Sequence, residues 1–194
     1  MKTPIVLIGA GGHQRVVRQV INDLNIYDIV AAIEKGEEQR LPGLIERGVR
    51  YAFIGVGQIK ASNLRAQLFR DVKRLGFTLP VLIHPSSYVC PDVSIGEGSL
   101  IAPGVVINTG TKIGANVVIN TRASIDHDCV IEDHVFISPG VTLCGEVNLA
   151  EGAFVGAGST SIQAIKIGRG VTIGAGSVVL RDVPSEKVVF GIVK

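Results

Sequence analysis

The chain has 194 residues, 46% of them apolar, which suffices for a buried core and argues against disorder. Only 5% are aromatic, with no tryptophan, and the formal charge is +2, so neither a base-stacking platform nor a cationic nucleic-acid surface is expected. Glycine is abundant, with 24 residues or about one in eight, which fits an aliphatic core turned through many tight corners. The charge is uneven: residues 1–82 carry 12 Lys/Arg and 7 Asp/Glu (+5), and residues 83–194 carry 7 and 10 (−3), so the front part suits an anion. Three cysteines, Cys90, Cys129 and Cys144, show no C-x-x-C spacing, so neither a disulfide framework nor a metal site is expected.

The apolar run Ile5–Ile8 is too short for a signal segment or a membrane span, and a soluble, cytoplasmic protein is expected. Residues 4–8 read as a buried strand, Gly9–Gly12 as a turn, and Gln14–Leu24 as a helix with Val16, Val17, Val20, Ile21 and Leu24 at helical spacing. A strand, glycine turn and helix aim backbone N–H groups and a helix N-terminus at a phosphate, although G-A-G-G is not the complete dinucleotide fingerprint and also reads as a plain tight turn. A second strand at Ile29–Ile33 ends in Glu34; a third at Tyr51–Gly55 leads through G-V-G to a helix containing Leu64, Leu68, Val72 and Leu75. Residues 1–82 therefore read as a small Rossmann-like α/β domain.

From Ile83 onward the period changes to six. Every sixth residue from Ile83 to Val179 is a large aliphatic in sixteen of seventeen cases, Ser161 being the exception, and the residue four places after each is small or no larger than Val except at Ile165. A strict period of six is neither helix nor simple strand. Three hexads make one 18-residue triangular coil, and residues 83–194 read as an all-β parallel β-helix of five to six turns. Within it, His127 in D-H-D-C lies two residues after the core Ile125 and projects outward, with Asp126 or Asp128 beside it to fix its tautomer. Gly145 is one coil beyond and stacks over it. Asn120 occupies a corner and reads either as structural or as a ligand contact.

The motifs I-G-A-G-G-H (8–13), I-H-P-S (83–86), I-N-T (119–121), D-H-D-C (126–129), I-S-P-G (137–140) and I-G-A-G-S-V-V (173–179) span almost the whole chain. Through them the chain resembles the bacterial hexapeptide-repeat sugar acetyltransferases with a Rossmann-like front domain, a group comprising N-acetyltransferases of nucleotide-linked 4-amino-4,6-dideoxy sugars and sialic acid O-acetyltransferases. The resemblance implies a left-handed β-helix, a homotrimer with the active site between subunits, acetyl-CoA as cosubstrate and no metal. It further implies a nucleotide-linked aminosugar for surface glycan biosynthesis as acceptor, with sialic-acid-type O-acetylation and a non-catalytic nucleotide-sugar binder as alternatives. In catalysis it assigns His127 as general base, favours Asp128 as its orienting partner, and gives the Gly145 N–H the oxyanion. With no activated Ser or Cys beside His127, the amine attacks directly.

For the acceptor the resemblance points to Gly9, Ala10, Gly11, Gly12, His13 and Asn120, with Glu34 where relatives carry an acidic pair that reads the base. A second histidine expected nine residues after the base is replaced by Phe136, with His134 two positions earlier, and both are candidate acceptor contacts. Gly145, Gly174, Lys166, Arg169 and Arg181 are the candidates for acetyl-CoA. Val118, Val130 and Phe136 are expected on the outer faces where copies meet, and His84 is expected to shape the entry to the first coil.

Overall fold

The computed structural model describes residues 1–194. Strand β1 (Thr3–Ile8) is central in a three-stranded parallel sheet, flanked by β2 (Tyr27–Ile33) and β3 (Tyr51–Ile54). Helix α1 (Gly12–Leu24) buries Val17, Val20 and Ile21 and ends where Asn25 turns left-handed. A short 3₁₀ turn (Glu38–Arg40) and helix α2 (Leu41–Glu46), which sequence periodicity left unassigned, follow β2; helix α3 (Leu64–Arg74) follows β3. The chain enters a parallel β-solenoid at Leu82.

The solenoid has about six turns and three flat faces. Face I stacks seven strands whose inward residues run Ile83, Ile101, Ile119, Ile137, Val155, Ile173 and Val189; face II stacks seven, from Val89 through Ile125 to Val193; face III stacks five, from Ile95 to Ile167. Their side chains form one aliphatic core without an aromatic residue. Every corner between Gly98 and Gly176 has a residue of positive φ three places after the inward residue: glycine in eight, but Asn116, Arg122, Asp128, His134, Glu146 and Ala164 in six. That requirement accounts for eight of the 24 glycines. Small hydroxyl residues inside the corners join successive coils, as where Ser99 Oγ donates to Gly114 O (2.9 Å) and Thr111 Oγ1 donates to Asp126 O (3.0 Å). The repeat tightens at the end: Val188 pairs with Thr172, 16 residues back, and Ile192 with Val178, 14 back, so the last coil is shorter than 18.

The front domain lies on face I. The outward residues Leu82, Leu100, Val118, Phe136 and Phe154 share one buried cluster with Ile5, Leu7, Phe53, Val17, Val20 and Ile21. This corrects the expectation that Val118 and Phe136 stand on an outer surface: both are buried beneath the chain's own front domain, whereas Val130 is exposed. Each aromatic stacked on this flat face removes a large apolar area from water, which holds the two units together. His84 ties the junction from below, its Nε2 3.0 Å from Asp23 Oδ2 on α1 and its Nδ1 2.8 Å from Ser86 Oγ.

Candidate active site

His127 sits at the corner between faces II and III. Asp128 occupies the positive-φ position of that corner (φ 56°), and its Oδ2 lies 2.9 Å from His127 Nδ1. The hydrogen bond to Asp128, helped by the charges of Asp126, Asp128 and Glu146, raises the imidazole pKa above its ordinary value. Asp126 takes a different part: it accepts from Asn108 Nδ2 one coil below (3.0 Å) and from the His127 amide (2.8 Å), which lowers its pKa and fixes the backbone that carries the imidazole. Gly145 lies against the ring, and a Cβ there would fall 2.5 Å from His127 Nε2 and Cε1. The Gly145 amide makes no hydrogen bond within the chain.

Three clefts follow one another along the junction of the two units. The first, about 520 Å³, is lined by Gly9, Ala10, Gly11 and Glu34 with Lys35, Val56, Leu64 and Leu68, at the carboxyl ends of β1, β2 and β3. Clefts at that edge of a parallel sheet are where ligands bind in α/β folds. The second, about 610 Å³, shares Gly11 and Gly57 with the first and is lined by Gly12, His13, Gln58, Ile59, Asn120, Phe136 and Ser138. The third, about 500 Å³ and more apolar, shares Gln58, Ile59, Ser138 and Pro139 with the second and continues past Phe154, Gly174 and Phe190. Eight of the nine acceptor-contact candidates thus line the first two clefts.

The exception is His134. It holds the positive-φ position at the corner between faces III and I, where its Nδ1 lies 3.0 Å from Asn116 Nδ2 and its ring meets Phe69 edge-on at 5.6 Å. It borders a separate cleft with Lys60, Glu151 and Arg169 and is not free to meet the groove that holds Phe136. Phe136 itself stacks on Phe154 (5.8 Å), with His13 at 5.5 Å and the Arg65 guanidinium 5.9 Å from its ring centre. Burial, and then the nearby Arg65 charge, push the His13 pKa down to about 4, so that imidazole is neutral at physiological pH.

The cofactor candidates divide. Arg181 is exposed and stands in the corner column Thr109, His127, Gly145, Gln163, Arg181, three coils or about 14 Å beyond the imidazole at the ~4.8 Å strand spacing. Lys166 is exposed on face III beside that column. Gly174 lines the third cleft, with Phe190 packed so closely over it that a Cβ would collide. Arg169 is removed to the corner of His134, where Nη2 pairs with Glu151 Oε2 at 2.8 Å. No group of side chains with metal-binding arrangement is present, and no helix is long and apolar enough to cross a membrane.

Gln58, Ile59, Thr121, Ser138 and Pro139 are lining residues that sequence reasoning did not assign. The usable signal was G-V-G-Q after β3, since β3 neighbours β1 and its carboxyl end faces the same crevice.

Residues 80–109 and 110–145 match the bacterial transferase hexapeptide (six repeats) model, and residues 4–70 match the PglD N-terminal domain. No curated protein sequence matches the chain. Among solved structures, a variant of perosamine N-acetyltransferase from Caulobacter crescentus, in complex with CoA and GDP-perosamine, is 34% identical over 97% of this chain and 93% of that one, with a TM-score of 0.93. The acetyltransferase domain of PglB from Neisseria gonorrhoeae is likewise 34% identical, over 98% of this chain and 97% of that one, with a TM-score of 0.90. The chain belongs to the hexapeptide-repeat sugar acetyltransferases with a PglD-type front domain. WeeI from Acinetobacter baumannii, 25% identical over 97% of both chains, has a TM-score of 0.82.

In this acetyltransferase the second cleft opens at the corner between faces I and II, where Asn120, Thr121, Ser138 and Pro139 lie, whereas His127 stands at the corner between faces II and III. The width of face II separates them within one chain.

Proposed function

We propose that the chain transfers acetyl from acetyl-CoA to the amine of a nucleotide-linked 4-amino-4,6-dideoxy sugar, with His127 as general base, in bacterial surface glycan biosynthesis. The observation that carries this reading is the His127–Asp128 pair pressed against Gly145: a base with a fixed tautomer and raised pKa beside an unengaged amide. His127 Nε2 takes a proton from the attacking amine, and Asp128 stabilises the imidazolium. The Gly145 N–H receives the oxyanion of the tetrahedral intermediate, and the proton then passes to the departing CoA sulfur. Direct attack is favoured because the nearby Cys129 thiol is buried, which raises its pKa to about 11 and leaves it unreactive.

The acceptor's base fits the first cleft near Glu34, its diphosphate the turn at Gly9–Gly12, and its sugar the second cleft against His13, Asn120 and Phe136. Two relatives were solved with CoA and GDP-perosamine bound, which supports a nucleotide-linked sugar as the ligand class. The pantetheine arm fits between the third cleft past Gly174 of one copy and the corner column above His127 of the next, with Lys166 and Arg181 near the phosphates. Because face II separates acceptor cleft from base, a second copy supplies one of the two, which favours a homotrimer meeting on face II with each active site shared between subunits. Tyr88, Val106, Val178 and Ile192 give that face its exposed apolar surface.

The test is release of CoA thiol from acetyl-CoA with GDP- and UDP-linked 4-amino-4,6-dideoxy sugars, with free sialic acid, and without acceptor. Thiol release with one of the aminosugars alone is expected. Release with sialic acid alone would make the chain an O-acetyltransferase, and release with none would leave a binder.

A further inference from the structure

Five buried side-chain polar atoms have no hydrogen-bond partner in the chain: His13 Nε2, Gln58 Nε2 and Oε1, Arg65 Nε and Ser161 Oγ. Ser161 is alone in the solenoid core. The other four gather around Phe136: His13 and Arg65 each pack on its ring, Gln58 lines the same cleft, and a Cβ on the preceding Gly57 would strike His13. Buried polar groups in folded proteins are nearly always matched, so four unmatched atoms at one place mark where a polar ligand completes the structure. The local field suits an acceptor-rich ligand. Arg65 is fully buried, and its hydrogen bonds run to Ile54 O, Val56 O, Asn116 O and Asn116 Oδ1, with no carboxylate among them.

Gln58 alone among these residues borders both the acceptor cleft and the apolar cleft beyond it, which on the reading above is where acceptor amine meets acetyl group. It lies on the strap of residues 57–63, which is tied to the solenoid by the Ala61 N–H donating to Thr172 Oγ1 (2.9 Å). A carboxamide offers one donor and one acceptor side by side. That pair matches two vicinal groups on a pyranose, a hydroxyl and the amine next to it.

We propose that Gln58 is the specificity residue for a vicinal amino alcohol. Its amide turns from the strap into the cleft, Nε2–H donates to the hydroxyl oxygen, and Oε1 accepts one N–H of the neighbouring amine. The amine's lone pair is left free for attack, and its other N–H is left for the catalytic imidazole of a second copy. The inference rests on the N-acetyltransferase reading and adds to it the hydroxyl that the enzyme requires.

The experiment compares wild type, Gln58→Met and Gln58→Ala on whichever GDP- or UDP-linked 4-amino-4,6-dideoxy sugar wild type accepts, and on its analogue lacking the hydroxyl beside the amine. KM for acetyl-CoA and affinity for the free nucleoside diphosphate are the controls. Wild type is expected to prefer the hydroxylated acceptor by at least about 10-fold in kcat/KM, the scale for a site built to bond a hydroxyl. Gln58→Met should lose about that factor on the hydroxylated acceptor and discriminate less than about threefold, with both controls unchanged. Gln58→Ala removes both hydrogen-bonding groups and adds no bulk, so its discrimination should collapse too; it decides the matter if the Met variant does not fold. Full discrimination in either variant, or equal loss of nucleoside diphosphate affinity, overturns the assignment of Gln58. A wild-type chain inactive on every amine overturns the N-acetyltransferase reading itself and this inference with it.

Discussion

At the scale of single residues, the site turns on one corner. Asp128 reaches Nδ1 because the corner demands a left-handed residue there, and aspartate tolerates that conformation while its short side chain folds back on its neighbour. A base must be neutral to act, so the rate falls as pH drops through the His127 pKa. The Asp128 hydrogen bond raises that pKa, which moves the acid limb of kcat/KM to higher pH than an unpaired imidazole would give, and Asp128→Asn removes the largest cause of the rise. The expected outcome is an acid limb moved to lower pH in Asp128→Asn with a reduced plateau, while His127→Ala loses at least ~10² in kcat and retains CoA binding. An acid limb identical in wild type and Asp128→Asn would remove Asp128 from this role. Sequence alone left Asp126 and Asp128 as competing partners for the imidazole, because both flank it. What separates them is that Asn108, one coil below, already occupies Asp126.

At the scale of elements, the hexad is nearly self-specifying. Inward aliphatics, small corner residues and left-handed third positions repeat from coil to coil, and each coil packs on its neighbours alone, so the register was legible without any long-range information. The one break in the aliphatic series, Ser161, is a break in the structure too: its hydroxyl is buried between Leu143 and Val179 without a partner. Ser161→Val should therefore stabilise the solenoid by about 1–2 kcal/mol, the cost of an unmet buried hydroxyl, and raise Tm by a few degrees in thermal unfolding. An unchanged or lower Tm would mean that a water bound there satisfies the hydroxyl. His134 and Phe136 illustrate the opposite case. Both lie outside the inward series, yet one holds a corner beside Asn116 and the other a domain junction, and hexad phase alone does not distinguish these fates.

At the scale of the whole molecule, the three faces differ by what covers them. The front domain buries the outward column of face I, while Tyr88, Val106, Val178 and Ile192 on face II remain exposed. If copies meet there, wild type sediments as a trimer at micromolar concentration, and Val178→Asp combined with Ile192→Asp yields folded, inactive monomer, since each added carboxylate would be buried unpaired in the interface. An active monomeric wild type would overturn both the trimer and the shared site.

The sequence by itself determined the two-part architecture, the solenoid register, the strand, glycine turn and helix of the front domain, and the stacking of Gly145 over His127, all of which follow from local chemistry or a fixed 18-residue step. Only the tertiary structure decided that Leu82, Leu100, Val118, Phe136 and Phe154 face the front domain and not another copy, that Gln58 and Arg65 stand with unmet hydrogen bonds behind the acceptor cleft, and that the cleft and His127 open at different corners. The physical reason is that an outward apolar residue gains the same free energy from any surface that excludes water from it, so the repeat fixes which way each side chain points but not what it meets.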